Sequence, residues 1–307
     1  MTSYIIRRVL VAIPVFLAVT VLVFALRALV PGDPVEIMFF GESPPPEVVE
    51  MIHKSWGLDK PIYEQYYIYM SRIVKGDFGT SFRSRQPVMK DIAARYPNTL
   101  RLAFTGLTLA VLLGVITGVI SAVKQNTLFD FGSMIVALVG VSMPAFWMAL
   151  LMMYYFSVKW SLLPAMGTGT WKHLVMPSLT LGLLSASVTA RMVRSSMLEV
   201  LRQDFVRTAR SKGLSERVVV YKHALKNALI PVVTLIGLQF GSLLGGAFIT
   251  ETVFAYHGLG ELGVMAINNR DFPVVQGVIL VISSIYVLVN LIVDVMYGFI
   301  DPRIRYS

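Results

Sequence analysis

Six stretches of the chain contain no Asp, Glu, Lys or Arg: residues 9–26, 102–123, 131–158, 174–190, 228–250 and 276–293. At about 1.5 Å of rise per residue, a helix over any of them crosses most or all of a hydrocarbon core about 30 Å thick. No alternating apolar–polar pattern of strand type accompanies them. In lipid, a helix satisfies its own backbone without the closure that a barrel needs. The pattern therefore predicts an all-α integral membrane protein, one domain over residues 1–307, with transmembrane helices at 9–30, 99–123, 131–158, 173–195, 228–253 and 276–298.

The polar segments between the spans are unequal. Residues 31–98 are long enough to fold, and "SPPPEVVEMIHKSWGLDKPIYEQYYIYMSRIVKGDFG" predicts two short amphipathic helices separated by Gly57 and Pro61. Val48, Val49 and Ile52 share one face of the first. That face packs on the outer surface of the protein's own membrane part, while the polar face is a candidate docking surface for an external partner. Residues 196–227 form the other folded connection. There Leu201, Phe205 and Ala209 recur at i, i+4, i+8, and Arg207 and Arg210 share an adjacent face, which predicts an amphipathic helix outside the membrane. Asp204 is a candidate cap at its start, Gly213 a left-handed stop and Leu214 an apolar lock after it.

Within the spans, Gly114 and Gly118, and Gly237, Gly241 and Gly245, stand four residues apart, a spacing that lets helix backbones approach. Pro144, Pro177 and Pro231 favour kinks. These features report packing by default, and a pathway only if something else points to one.

Charge sets the orientation. Of the 307 residues 55% are hydrophobic and 15% charged, with a formal net charge of +9. With the N-terminus in the cytoplasm, nearly all of that surplus gathers on the same side, including Arg7, Arg8, Lys124, Arg191, Arg194 and the 202–226 segment. The short opposite loops hold little: Lys159 and Lys172 in one, Arg270 in another. The positive-inside rule then places both termini and the 196–227 segment in the cytoplasm. Arg7 and Arg8 before an apolar run imitate a secretory signal, but the run exceeds the usual h-region and more membrane spans come after it, so it reads as a retained first helix. There is no cysteine, hence no disulfide framework or thiolate metal site.

At this point the residues resemble a family. "DFVRTARSKGLSERVVVYKHALKNALIPV" is similar to the cytoplasmic signature of permease subunits of ATP-binding cassette importers, in the branch for dipeptides, oligopeptides, glutathione and nickel complexes. The likeness continues through "PGDP", "GLDKPIYEQY", "GDFGTSFRSRQPV", "SMPAFW", "RMVRSSMLEVL", "GAFITETVF", "NRDFPVVQG" and "DPRIRY". In the wider family the signature reads Glu-Ala-Ala, three residues, then Gly. Here those positions are Arg207, Thr208, Ala209 and Gly213, so the leading acid is replaced.

The resemblance implies a coupling helix fitted into a cleft of a soluble ATPase, carried by Asp204, Phe205, Arg207, Thr208, Ala209, Arg210 and Gly213. Phe205 and Ala209 would press into the cleft, and Arg207 and Arg210 would meet its acids. It implies as partners two cytoplasmic ATPase subunits holding ATP and Mg, a related second permease that supplies half the pathway, and an external substrate-binding protein. The setting is the bacterial cytoplasmic (inner) membrane. Peptide is the first expected cargo, glutathione or a metal chelate the next, and no substrate ligands are assigned.

Other classes fare worse on the residues. No G-x-x-x-x-G-K-[ST] occurs, so energy must come from another subunit, and no catalytic residue or cofactor is expected in this chain. A secondary transporter driven by an ion gradient needs ionisable groups deep in the bilayer, and the nearest is Asp294 just beyond the last run. An intramembrane enzyme lacks H-E-x-x-H, and all four His lie outside the six charge-free runs. A cationic helix resting on anionic lipid is the plain alternative for 204–211, and nothing supports a nucleic-acid role.

Overall fold

The computed structural model describes residues 2–29, 35, 38–39 and 45–300. Two motifs of the resemblance, at 31–34 and 301–306, lie outside the described residues. The helices are α1 (Thr2–Leu29), α2 (Pro46–Trp56), α3 (Ile62–Val74), α4 (Val88–Val123), α5 (Leu128–Ser142) and α6 (Ala145–Met152), which runs on as a π-helix over Met153–Lys159. They continue with α7 (Trp171–Leu201), α8 (Asp204–Ser211), α9 (Leu225–Gly246), α10 (Phe248–Val253), α11 (Leu259–Asn268) and α12 (Phe272–Ile300). Glu216–Val218 and a π-helical stretch, Val219–Ala224, lead without a break into α9. No strand forms among the described residues; an isolated bridge joins Thr80 to Pro87.

Contacts between helices give their relative directions. Gly106 lies against Leu181, Gly114 against Thr189 and Gly118 against Val193, so α4 and α7 run parallel. Two parallel spans require the chain between them to return across the whole bundle. It does so through α5 and α6, which are bent by 106° at the break between them. The expected third span is therefore a broken one. Pro144 has no N–H to continue a helix and drives the residue before it out of the α region; Met143 is accordingly extended, at φ −81 and ψ 125. By the same reasoning α9 and α12 are antiparallel, because Gly237 faces Val293 and Gly245 faces Ile282. So are α1 and α12, with Arg8 3.2 Å from Asp294 at one end and Gln276 donating to the Val23 carbonyl at the other.

The bundle thus has two ends. One carries α8, Arg8, Asp294 and the start of α9. The other, the cap end, carries α2, α3, α10 and α11. A buried cluster stands at each: Val119, Val193, Met197, Val206, Val219 and Val232 at the α8 end, and Val88, Ile92, Leu259, Val274 and Val278 at the cap. A third, around Leu102, Met176, Leu244 and Phe254, joins them.

Several boundaries differ from the expected ones. Helix α4 begins at Val88, inside the stretch assigned to the external loop, and its 36 residues make a rod of about 54 Å. That length carries its first turns beyond the hydrocarbon. Residues 196–201, expected in the cytoplasmic connection, continue α7. The fifth span stops at Gly246, and 247–253 turn aside into the short α10.

The glycine faces are unequal too. A Cβ on Gly114 would stand 2.6 Å from the Thr189 Cβ, and one on Gly118 2.6 Å from the Ala190 carbonyl oxygen. Gly237 is pressed equally hard by Val293, and Gly241 meets Tyr286 at 3.2 Å. Gly245 meets Ile282 at an ordinary 3.7 Å, so that position does not need glycine for space.

Candidate functional site

Helix α8 is held on the bundle by two residues of its apolar side. Val206 and Ala209 are buried, in the cluster with Val200, Met197, Val219 and Val220. Phe205 is exposed. This corrects the expected face, which ran from Leu201 through Phe205 to Ala209. Helix α7 ends at Leu201 and a new helix starts at Asp204, so the phase of the repeat is reset between them. Ala209 consequently packs against its own chain, and Phe205 is the aromatic side chain that α8 presents outward.

The start of α8 lacks the expected cap. Gln203 occupies the N-cap position, and the Asp204 side chain is almost fully exposed, 3.6 Å from the Arg207 guanidinium. The end has a complete stop. Gly213 has φ +74, its N–H donates to the Arg210 carbonyl at 2.9 Å, and the Leu214 N–H reaches back to the Ala209 carbonyl at 3.4 Å. This pair of bonds is the Schellman arrangement, which satisfies carbonyls that the last turn leaves open. The Thr208 hydroxyl donates to the Asp204 carbonyl at 3.0 Å.

Charges around α8 are partly answered within the chain. Arg210 donates from Nε and Nη2 to the two carboxylate oxygens of Glu216, at 2.7 and 3.2 Å. That hydrogen bonding holds the Glu216 carboxyl below its usual range. Arg210 is therefore engaged before any partner arrives, whereas Arg207 extends into solvent and, among the described residues, has a long contact to Asp204. Behind α8, Arg194 of α7 makes a two-pronged bond to Asp130 of α5, at 2.6 and 2.7 Å. The buried Asp130 also accepts from Ser121 and from the Asn126 N–H. Through these bonds the ends of α4, α5 and α7 are tied together directly behind the helix. Asp294, weighed above as a possible intramembrane charge, sits with Arg8.

The cap end holds functional-group chemistry that the sequence reading did not assign. Glu251 is fully buried and accepts from the Thr99 hydroxyl at 2.7 Å and from the Gly260 and Glu261 N–H groups at 2.7 and 3.2 Å. Burial pushes its carboxyl up from the ordinary value. Thr99 in turn accepts from the Leu259 N–H at 2.8 Å, so its hydroxyl proton is committed to Glu251. Glu261 meets Arg95 at 2.7 Å and His257 at 2.9 Å. Asp271 accepts from Ser81 at 2.5 Å and from the Phe82 and Arg83 N–H groups.

A sequence signal for this cap existed. Gly258 and Gly260 come closely after Glu251, and any Cβ at either would collide with its carboxylate. Asp271 before Phe272-Pro273 likewise marks a helix start.

Comparison with known proteins gives a consistent answer. A family model described as "Binding-protein-dependent transport system inner membrane component" matches residues 110–306. A model for the N-terminal part of such membrane components matches 1–103. The dipeptide transport system permease protein DppB of Alkalihalophilus pseudofirmus is 44% identical, over 100% of both chains. The glutathione transport system permease protein GsiC of Escherichia coli (strain K12) is 46% identical, also over 100% of both. Among solved structures, the inward-facing MetNI methionine ABC transporter aligns with a TM-score of 0.59 at 21% identity, covering 69% of this chain and 97% of that one. An amino acid ABC transporter aligns with a TM-score of 0.52 at 16% identity, covering 70% and 94%.

Proposed function

The chain belongs to the inner membrane components of binding-protein-dependent transport systems, a permease subunit of an ATP-driven importer, and on that premise we propose that its cargo is a di- or oligopeptide. Glutathione stands next and a metal chelate third. The identities to a dipeptide permease and a glutathione permease differ by too little to separate those two cargoes. They share a chemistry, a short amide-linked chain with charged ends, and the proposal is made at that level. Family membership sets the ion-gradient alternative aside.

In the proposed assembly a related second permease supplies the other half of the pathway, and an external binding protein delivers substrate to the cap end. Two ATPase subunits, holding ATP and Mg, meet the α8 end in the cytoplasm. The observation that carries the α8 assignment is the division of that helix into an anchored side and a presented side. Val206 and Ala209 fix it to the ends of α7 and α9, while Phe205 and Arg207 project away from the bundle. A body moved by a partner needs both: an outward handle, and a stiff attachment to the spans.

The test is reconstitution of the permeases with their ATPases and binding protein in vesicles, with uptake and ATP hydrolysis measured together. Uptake of a dipeptide in strict dependence on the binding protein is expected, with glutathione taken up less. A chelate taken up in preference to both would overturn the cargo. Orientation is tested separately by impermeant thiol labelling of cysteines placed at Asn126 and Ser215, expected inside, and at Thr168 and Asn268, expected outside.

A further inference from the structure

We propose that α3 is an interfacial anchor, lying in the headgroup layer of the membrane leaflet at the cap end with an aromatic stripe turned into the lipid. The inference goes beyond the transport reading and stands whichever substrate is carried.

Helix α3 has three distinct sides. Tyr66 and Tyr69 face α1: the Tyr66 hydroxyl is 2.8 Å from the Thr20 hydroxyl, and the Phe24 ring lies 5.4 Å from Tyr66 and 5.5 Å from Tyr69. A second side, about a quarter-turn away at 100° per residue, carries Tyr63, Tyr67, Met70 and Val74 at i, i+4, i+7 and i+11. Of these Tyr63, Tyr67 and Val74 are 69, 75 and 80% exposed, among the most exposed large apolar side chains in the protein. The remaining side is polar, with Glu64, Gln65 and Arg72.

Depth decides what covers the second side. The apolar span of α1 runs Ile5–Leu26. Thr20 stands six residues before its end, about 9 Å along the helix axis. A tyrosine hydroxyl stands up to about 9 Å from its helix axis, the Cα radius plus the length of the side chain, so the hydrogen bond to Thr20 keeps the α3 axis within about 12 Å of that level. With Phe24, two residues before the end of the span, against both Tyr66 and Tyr69, the α3 axis is held near the end of the apolar span, at the level of the headgroups. At that same level α1 exposes Leu17, Val21 and Leu22, so an apolar lipid-facing surface continues directly from α1 beneath α3.

A helix at this height, with apolar and aromatic residues on one side and charge on the other, matches the interfacial geometry in which tyrosine rings are favoured at the headgroup level. A soluble binding protein would have to enter the headgroup layer to reach Tyr67. The hairpin thus has two tasks on two faces, lipid below and, on its polar edge with Glu50, Lys54 and Glu64, the aqueous side.

The absence of cysteine makes the test direct. Tyr67→Cys, Val74→Cys and, as an aqueous reference in the turn before α3, Asp59→Cys are each labelled with an environment-sensitive fluorophore. Each is then assembled with cysteine-free partner subunits in phosphatidylcholine–phosphatidylglycerol vesicles, and complexes with normal ATPase activity are compared. At 67 and 74 the emission should be blue-shifted. Quenching there by a lipid carrying a shallow spin label should be at least twofold stronger than at 59, and quenching by iodide at least twofold weaker. Iodide quenching at 67 and 74 equal to that at 59 would overturn the proposal. So would protection from both quenchers, which would place the stripe against the second permease. Iodide quenching relieved only on adding the binding protein would equally overturn it, making the stripe a docking face.

Discussion

The cap and helix α8 handle charge in opposite ways. At the cap, carboxylates are inside: Glu251, Glu261 and Asp271 are all buried, and each is bonded to groups far away in sequence. On α8 itself, with the buried Asp130–Arg194 pair standing behind it, the Arg210–Glu216 and Arg207–Asp204 pairs lie at the surface within one local stretch, and the helix is fixed instead by two small apolar residues. Exposed pairs of that kind contribute little to stability. A buried acceptor that holds three donors cannot be removed cheaply, because each donor left unpaired costs about 1–3 kcal/mol. The cap is therefore built as a rigid closure of the spans, and α8 as a presented part whose surface is free to be remade by a partner.

The largest expected effect comes from that contrast. Glu251→Ala strands the Thr99 hydroxyl and two backbone N–H groups, and should cost on the order of 3 kcal/mol or more. Thermal unfolding of the complex in detergent should fall by several degrees or assembly should fail. Glu251→Gln keeps an acceptor in place and should lose much less. Equal losses in the two variants would remove the hydrogen-bonding account of the cap.

The seam joining the two ends comes next. Gly118→Ala puts a Cβ against the Ala190 carbonyl and Val193, both parts of a packed helix that cannot give locally, and overpacking of this kind costs about 1–3 kcal/mol. Gly245→Ala, with an ordinary 3.7 Å contact, should be neutral. The pair separates a spacing motif from a space requirement, read by the melting temperature of each variant.

Legibility in the sequence divides along the same contrast. The spans were readable because a charge-free run is a local property. So was the stop at Gly213, since a left-handed residue after a short helix is written in one position. The outward face of α8 was misread because the repeat was carried from Leu201 into a helix that begins only at Asp204. The cap was missed because the partners of Glu251 and Glu261, Thr99 and Arg95, lie 152 and 166 residues away, and no periodicity links them. The break at Pro144 was legible as a kink. Its angle of 106° was not, because proline ends one helix while tertiary packing aims the next.

At the α8 end the effect should appear in coupling and not in stability. Phe205→Ala removes the aromatic side chain that projects from the helix and leaves the Val206–Ala209 anchor alone. A central aromatic in a protein interface is worth about 2 kcal/mol, some 30-fold in association. The melting temperature of the free permease should stay within a degree of wild type, while ATPase retention in pull-down falls and uptake per ATP declines. Ala209→Glu is expected to behave in the opposite order, lowering stability first, because that position is inside. A stable Ala209→Glu permease would return Ala209 to the partner interface.

The smallest expected effect is a pH dependence of the cap. Glu251 has its carboxyl raised above the ordinary value by burial, so the folded cap holds a proton that the unfolded chain has already released. Between the ordinary carboxylate pKa and the raised one, the folded state binds more protons, and its stability therefore falls as pH rises through that window. The contribution is fully present below the unfolded value. The three donors to Glu251 oppose the shift by favouring the charged form, which keeps the effect smaller than that of deleting the side chain. His257, 2.9 Å from Glu261, is a second ionisable group at the cap, and the control must separate the two. Hydrogen exchange of the 248–271 segment, corrected for intrinsic exchange rates, should show protection declining from pH 5 to pH 8. The trend should survive His257→Asn and vanish in Glu251→Gln. If it vanishes in His257→Asn and survives in Glu251→Gln, the pH dependence does not come from Glu251, and the account of its raised carboxyl fails.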